Sequence, residues 1–93
     1  MNILHENNGD KGEFFIKVEG QKQGLMTYSR AGNDKIIIDH TEVDESLKGQ
    51  GIGYKLVEEA VTYARQNNLK IMPLCPFANA VFRKRSEYND VKF

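Results

Sequence analysis

Apolar residues follow two rhythms along this chain. In the first half they alternate with polar ones. Phe14, Ile16 and Val18 share one side of a run, which predicts a strand over Phe14–Val18. A second strand is predicted over Leu25–Ser29, with Leu25, Thr27 and Ser29 on one face and Met26 and Tyr28 on the other. A third, Lys35–Val43, is built on Ile36-Ile37-Ile38, and a shorter piece at Ile3-Leu4 opens the chain. Polar turns at residues 7–10, 20–24 and 31–34 separate these runs. Connections this short predict an antiparallel meander.

After a charged loop at residues 44–48 the period lengthens. Ile52, Leu56, Val57, Ala60, Val61 and Ala64 recur every three or four positions, the apolar face of a helix from about Gly51 to Gln66. Asn67-Asn68 is a suitable stop, because Asn tolerates the left-handed conformation. Leu69–Leu74 then reads as a short strand, and Pro76 begins a second helix through about Lys84. Strand, helix, strand makes a βαβ unit with one parallel pair. The expected fold class is α+β, a meander followed by β-α-β-α.

The glycines matter most where the rhythm changes. Gly49, Gly51 and Gly53 stand at alternate positions between the Lys35–Val43 strand and the first helix. A glycine turn feeding a helix presents outward N–H groups and about half a positive charge, which suits an anion such as phosphate. It also serves for chain reversal alone. Two nucleotide patterns fail: Leu56 occupies the third glycine position of G-x-G-x-x-G, and no glycine precedes Lys-Ser or Lys-Thr.

Composition narrows the partners. Thirteen basic and thirteen acidic side chains cancel, so the chain lacks the electrostatic footprint of a general nucleic-acid binder. No run approaches the ~20 apolar residues of a membrane span, and the N-terminus has no apolar core of a signal peptide. The single cysteine cannot form an internal disulfide, which points to the reducing cytoplasm. A length of 93 residues predicts one domain over 1–93 with a modest core.

Lys48-Gly49-Gln50-Gly51-Ile52-Gly53 resembles motif A of the GNAT superfamily, the acetyl-coenzyme A-dependent N-acetyltransferases. That motif reads [Q/R]-x-x-G-x-[G/A] between a strand and a helix; here Lys48 replaces its Gln or Arg. The likeness spans roughly residues 36–88, and His40-Thr41-Glu42-Val43 with Pro73-Leu74-Cys75-Pro76 is similar to very short GNAT-like proteins. The resemblance implies the three-layer α/β GNAT architecture, its parallel pair splayed for coenzyme A. It also implies a stripped acceptor half. Six residues alone, Glu19–Gly24, lie between Val18 and Leu25, where the family normally places two helices walling the acceptor.

The resemblance further implies acetyl-coenzyme A as cofactor and an unidentified amine as acceptor, with a partner protein available to complete the acceptor site. The pyrophosphate would lie on the backbone N–H groups of Gly49, Gln50, Gly51, Ile52, Gly53 and Tyr54, with Lys48 adding charge. The pantetheine arm would run between the two parallel strands, opened in relatives by a bulge near Thr41–Val43. The Val43 N–H would polarise the acetyl carbonyl, and Asn79 would touch the arm or serve the second helix as a first-turn residue.

Cys75 would stand beside the thioester, as an acetyl-accepting thiolate activated by nearby His40 or as a small buried residue. His40 and Glu42 share one face opposite Val43, as a catalytic base pair or as a polar pair on the sheet. Relatives often carry a tyrosine on the second helix to protonate the leaving thiolate, but the matching position here is Phe82. Tyr88 is a poor substitute, better suited to packing. That departure keeps a non-catalytic acyl-coenzyme A binding module open as the alternative. Arg83-Lys84-Arg85 is open to the 3′-phosphate of coenzyme A, an acidic partner, or solvent at a helix end.

Overall fold

The computed structural model describes residues 2–93. Five strands, β1 (Leu4–Asn7), β2 (Lys11–Val18), β3 (Gln21–Arg30), β4 (Lys35–Val43) and β5 (Lys70–Pro73), form one sheet in the order of the chain. The first four make the antiparallel meander; β4 and β5 are parallel, joined by helix α1 (Ile52–Gln66). Helix α2 (Pro76–Lys84) follows, with Pro76 at its first position, where a missing N–H costs nothing.

The strands outrun their apolar patterns because ladder hydrogen bonds form regardless of side-chain polarity. The expected turn over residues 20–24 contracts to Glu19-Gly20, both at positive φ (52° and 80°), a two-residue hairpin between Val18 and Gln21. Gly24 lies inside β3, opposite Val43. The tail also acquires a place. Lys92 bridges Ile71 in parallel, the Ile71 N–H donates to the Val91 carbonyl at 2.6 Å, and Tyr88 and Val91 are buried.

Both helices pack on one face of the sheet. Phe14, Ile16, Met26, Ile36, Ile38 and Ile71 meet Leu56, Val57, Ala60 and Val61 of α1 and Ala78, Val81 and Phe82 of α2 in one apolar cluster. Among the described residues the other face carries no helix; Phe15 there is covered by the Lys22 side chain, its ammonium 4.4 Å from the ring centroid. The Val18-to-Leu25 connection, expected to stand where the family places two helices between its first two strands, instead joins β2 to β3; the first two strands, β1 and β2, are joined by residues 8–10. No helix is long and apolar enough to cross a membrane.

β4 contains the local feature that matters most. Tyr28 pairs with Ile38 but Thr27 pairs with His40, so Asp39 is an extra residue, a bulge. Before it, Ile36 and Ile38 face the helices; after it, Thr41 and Val43 do, while His40 and Glu42 turn outward. Without the bulge, strict alternation would aim His40 and Glu42 at the core.

At the far end of the sheet, His5 stacks on Phe14 (4.2 Å between centroids) and meets the edge of Tyr63. Its Nε2 lies 2.6 Å from the Tyr28 hydroxyl. Burial, then Tyr63, pushes that hydroxyl up to about 12. Burial holds His5 below the ordinary histidine value, against the opposing pull of Glu59.

Two stability predictions follow from this packing. Leu56→Ala, at a position with no exposure, should cost about 3 kcal/mol in chemical denaturation, while Glu58→Ala should stay within about 0.5 kcal/mol. A folded-state pKa below the unfolded one means that stability is present above the ordinary histidine range and is lost as pH falls through the folded value. The melting temperature should therefore drop on acidification, and His5→Gln should flatten that part of the profile.

Candidate acyl-coenzyme A site

The glycine turn has the form its sequence suggests. Asp44 starts a short helical turn over Glu45–Leu47, accepting from the Ser46 N–H (3.0 Å) and hydroxyl (2.6 Å). Those bonds hold its carboxyl below the usual value. Leu47 plugs the turn into the core. The chain then passes through Gly49 and Gly51, both left-handed (φ 82° and 71°), into α1. A Cβ at either position would meet nothing within 4 Å. The first helical hydrogen bond is Lys55 N–H to Gly51 carbonyl (3.1 Å), so the N–H groups of residues 49–54 have no protein acceptor among the described residues. No acidic side chain stands in the first turn to compete for an anion.

Gly53 has a different reason. A Cβ there would fall 2.6 Å from the Phe77 ring, so this glycine admits α2 rather than a phosphate. Ile52 offers only its backbone, since its side chain is buried in the core. Lys48 is engaged with Glu45 (Nζ to Oε1, 3.0 Å), but both are exposed, and a pair in water yields readily to a stronger anion.

The parallel pair opens beside this turn. β5 follows β4 from Lys35–Lys70 to Ile38–Pro73, and one further bond joins the Cys75 N–H to the Ile38 carbonyl (3.1 Å). Beyond it His40–Val43 have no β5 partner. The Asp44 N–H donates across to Gln23 of β3 (2.7 Å), so by alternation the Val43 N–H, one residue earlier, faces the gap. Asn79 reaches into the same corner, its Nδ2 donating to the Pro73 carbonyl at 3.3 Å. That bond holds the strand end where it parts from β4. The bulge expected near Thr41–Val43 lies instead at Asp39.

Cys75 is the residue immediately before α2 and is only 5% exposed. Its thiol donates to the Thr41 hydroxyl at 3.3 Å. Burial pushes the thiol up, but the Thr41 hydroxyl and the backbone N–H groups of Ala78 and Phe77, which face the sulfur without closing a helix cap, bring it below the ordinary value. The expectation that His40 activates Cys75 is overturned. The bulge turns His40 to the opposite face, where Nε2 lies 3.6 Å from Glu42 and both side chains are well exposed (59% and 70%). Thr41 takes the position that the sequence reading assigned to His40. No local signal marked it, because simple alternation from Ile38 sends Thr41 outward.

The other candidates separate clearly. Tyr54 is partly exposed and packs edge-on against Phe77. Phe82 is buried beside Tyr88 (5.7 Å between centroids), so neither ring is free to offer a proton at the gap. The broad open depression lined by His5, Asn7, Gly12 and Tyr28 lies at the other end of the sheet. No cluster of metal-ligating side chains occurs among the described residues.

Thr41→Val should raise the Cys75 pKa, since burial then acts with one donor fewer, whereas Thr41→Ser should preserve it. Titration of the Cys75 Cβ chemical shift reads this directly, and an unchanged Thr41→Val value would assign the shift to the helix N–H groups alone.

Residues 13–91 match the family model described as GCN5-related N-acetyl-transferase. Protein NATD1 of Xenopus tropicalis is 24% identical over 74 residues, covering 78% of this chain and 68% of that protein. A GCN5-like protein of Staphylococcus aureus, solved by NMR, is 37% identical with a TM-score of 0.74, over 99% of this chain and 89% of the other. A GNAT family acetyltransferase of Elizabethkingia anophelis, with acetyl-CoA bound, shares the fold at 18% identity and a TM-score of 0.60, covering 70% of this chain and 43% of its own. With its glycine turn, its parted parallel strands and a family match across nearly its whole length, this chain belongs to the GCN5-related N-acetyltransferases.

Proposed function

We propose that this protein binds acetyl-coenzyme A at the Gly49–Tyr54 turn and transfers the acetyl group to an amine. The observation that carries this reading is the run of N–H groups at 49–54 without acceptors, set beside a gap that exposes the edge of β4. Coenzyme A would supply the activated thioester. The turn binds its pyrophosphate through backbone donors and the positive end of α1. The Val43 N–H is the donor available to the acetyl oxygen, a contact worth about 3 kcal/mol in comparable acyl-transfer sites. Holding donor and acceptor together contributes the rest through proximity.

The amine, with or without a partner protein completing its site, approaches from the uncovered face. There His40, oriented by Glu42, is the group available to take its proton. Cys75, on the helix side of β4, offers a covalent relay instead. Its thiolate would attack the acetyl carbonyl, coenzyme A would leave as its thiolate, and the acetyl group would pass on to the amine. A second reading, binding without transfer, draws on Phe82, which has no proton to give and is buried.

Titration with acetyl-coenzyme A should shift the amide signals of Gly49–Tyr54 and Val43. Gly51→Ala should weaken binding by up to roughly tenfold, since a side chain at its φ costs about 1–2 kcal/mol and the free turn escapes that cost by leaving the conformation that aims its N–H groups. Steady release of coenzyme A with one of a panel of amines supports transfer; binding with no release supports the second reading. A mass gain of one acetyl group, lost in Cys75→Ser, would select the covalent route. Absent shifts would overturn both readings.

A further inference from the structure

Coenzyme A carries two phosphate sites, and the glycine turn accounts for one of them. The pyrophosphate and the 3′-phosphate stand on opposite sides of a single ribose. A cation one side chain away from a backbone grip on the first is therefore within reach of the second. Three basic residues cluster at the end of α2, and the structure separates them. Arg83 and Lys84 occupy the last helical turn and are exposed. Arg85 leaves the helix, its N–H held by the Val81 carbonyl at 3.0 Å.

From there its guanidinium lies over Tyr54, 5.3 Å from the ring centroid. Tyr54 supplies the last free N–H of the glycine turn and is itself braced edge-on by Phe77 at 5.6 Å. Among the described residues the one acidic contact of Arg85 is Glu87, at 4.0 Å and exposed. A planar guanidinium resting on an aromatic face keeps its in-plane N–H groups available while losing little freedom on binding.

We infer that Arg85, laid on Tyr54 at the rim of the glycine turn, recognises the 3′-phosphate of coenzyme A and makes the protein prefer coenzyme A over its 3′-dephospho form. This rests on the cofactor reading above and adds a specificity residue to it. The other groups of the turn, its backbone N–H groups and Lys48, serve the pyrophosphate. Lys84, one residue away but on the helix, is the natural control.

The test is calorimetric titration of the full chain with coenzyme A and with 3′-dephospho-coenzyme A. Wild type should bind coenzyme A more tightly by on the order of tenfold, the worth of a charge-assisted hydrogen bond. Arg85→Gln should bring coenzyme A down to the level of the dephospho form and leave the latter unchanged. Arg85→Lys should fall between, and Lys84→Gln should keep the wild-type ratio. Equal affinity of wild type for the two ligands would overturn the inference. So would an Arg85→Gln variant that keeps the ratio or weakens both ligands alike, or a Lys84→Gln variant that loses it. Failure of wild type to bind either ligand would overturn the cofactor reading beneath, and this inference with it.

Discussion

Two parallel strands in this protein must stay together long enough to close a core and then part. They share a ladder from Lys35–Lys70 to Ile38–Pro73, and the Cys75 N–H to Ile38 carbonyl bond is its last contact. Proline at 73 contributes no N–H to the ladder, and proline at 76 starts a helix that carries the chain away. The candidate site is arranged around that parting. The edge of β4 is exposed by it, Cys75 and Asn79 stand at its corner, and the glycine turn opens at its mouth.

The parting is affordable because the core does not depend on it. The cluster that holds both helices to the sheet draws on Phe14, Ile16, Met26, Ile36 and Ile38, all before the strands separate. The tail adds a partner on the outer side of β5 where β4 still pairs the inner, through the Lys92 bridge to Ile71, and the Arg65–Asp90 pair fastens it to α1. The bulge at Asp39, its carboxylate bonded to Ser29 at 2.7 Å, then sorts the side chains. Hydroxyl and apolar groups go toward the helices and the charged pair goes to the open face.

Much of this was legible from the chain. Alternation in Phe14–Val18 and Leu25–Ser29 reported which residues line the core, and the spacing of Ile52, Leu56, Ala60 and Ala64 reported α1. The glycine turn was legible because a left-handed backbone leaves a residue-type signature. What stayed hidden was what depends on register. A bulge inserts one residue without any compositional mark, so the reversal of His40 and Thr41 could not be read from alternation. Nor could the contact of Arg85 with Tyr54, since 31 positions apart in sequence they meet only because α2 folds back past the start of α1. Gly53 shows the same limit: its position fits a phosphate motif, but its absent side chain makes room for Phe77.

The gap also bears on self-association. A bare strand edge ordinarily invites another strand, and that is a route to aggregation. Here the bare part of β4 is limited to His40–Val43, and its wedge is narrowed at one end by Cys75 and the start of α2. A pleated strand from a second molecule needs a straight, open margin; a slender unbranched chain does not. The outer margin of β5 is already occupied by the tail, and β1, at the opposite margin, is only four residues long. The sheet thus keeps one hydrogen-bonding edge in reserve while giving a neighbouring copy little to extend.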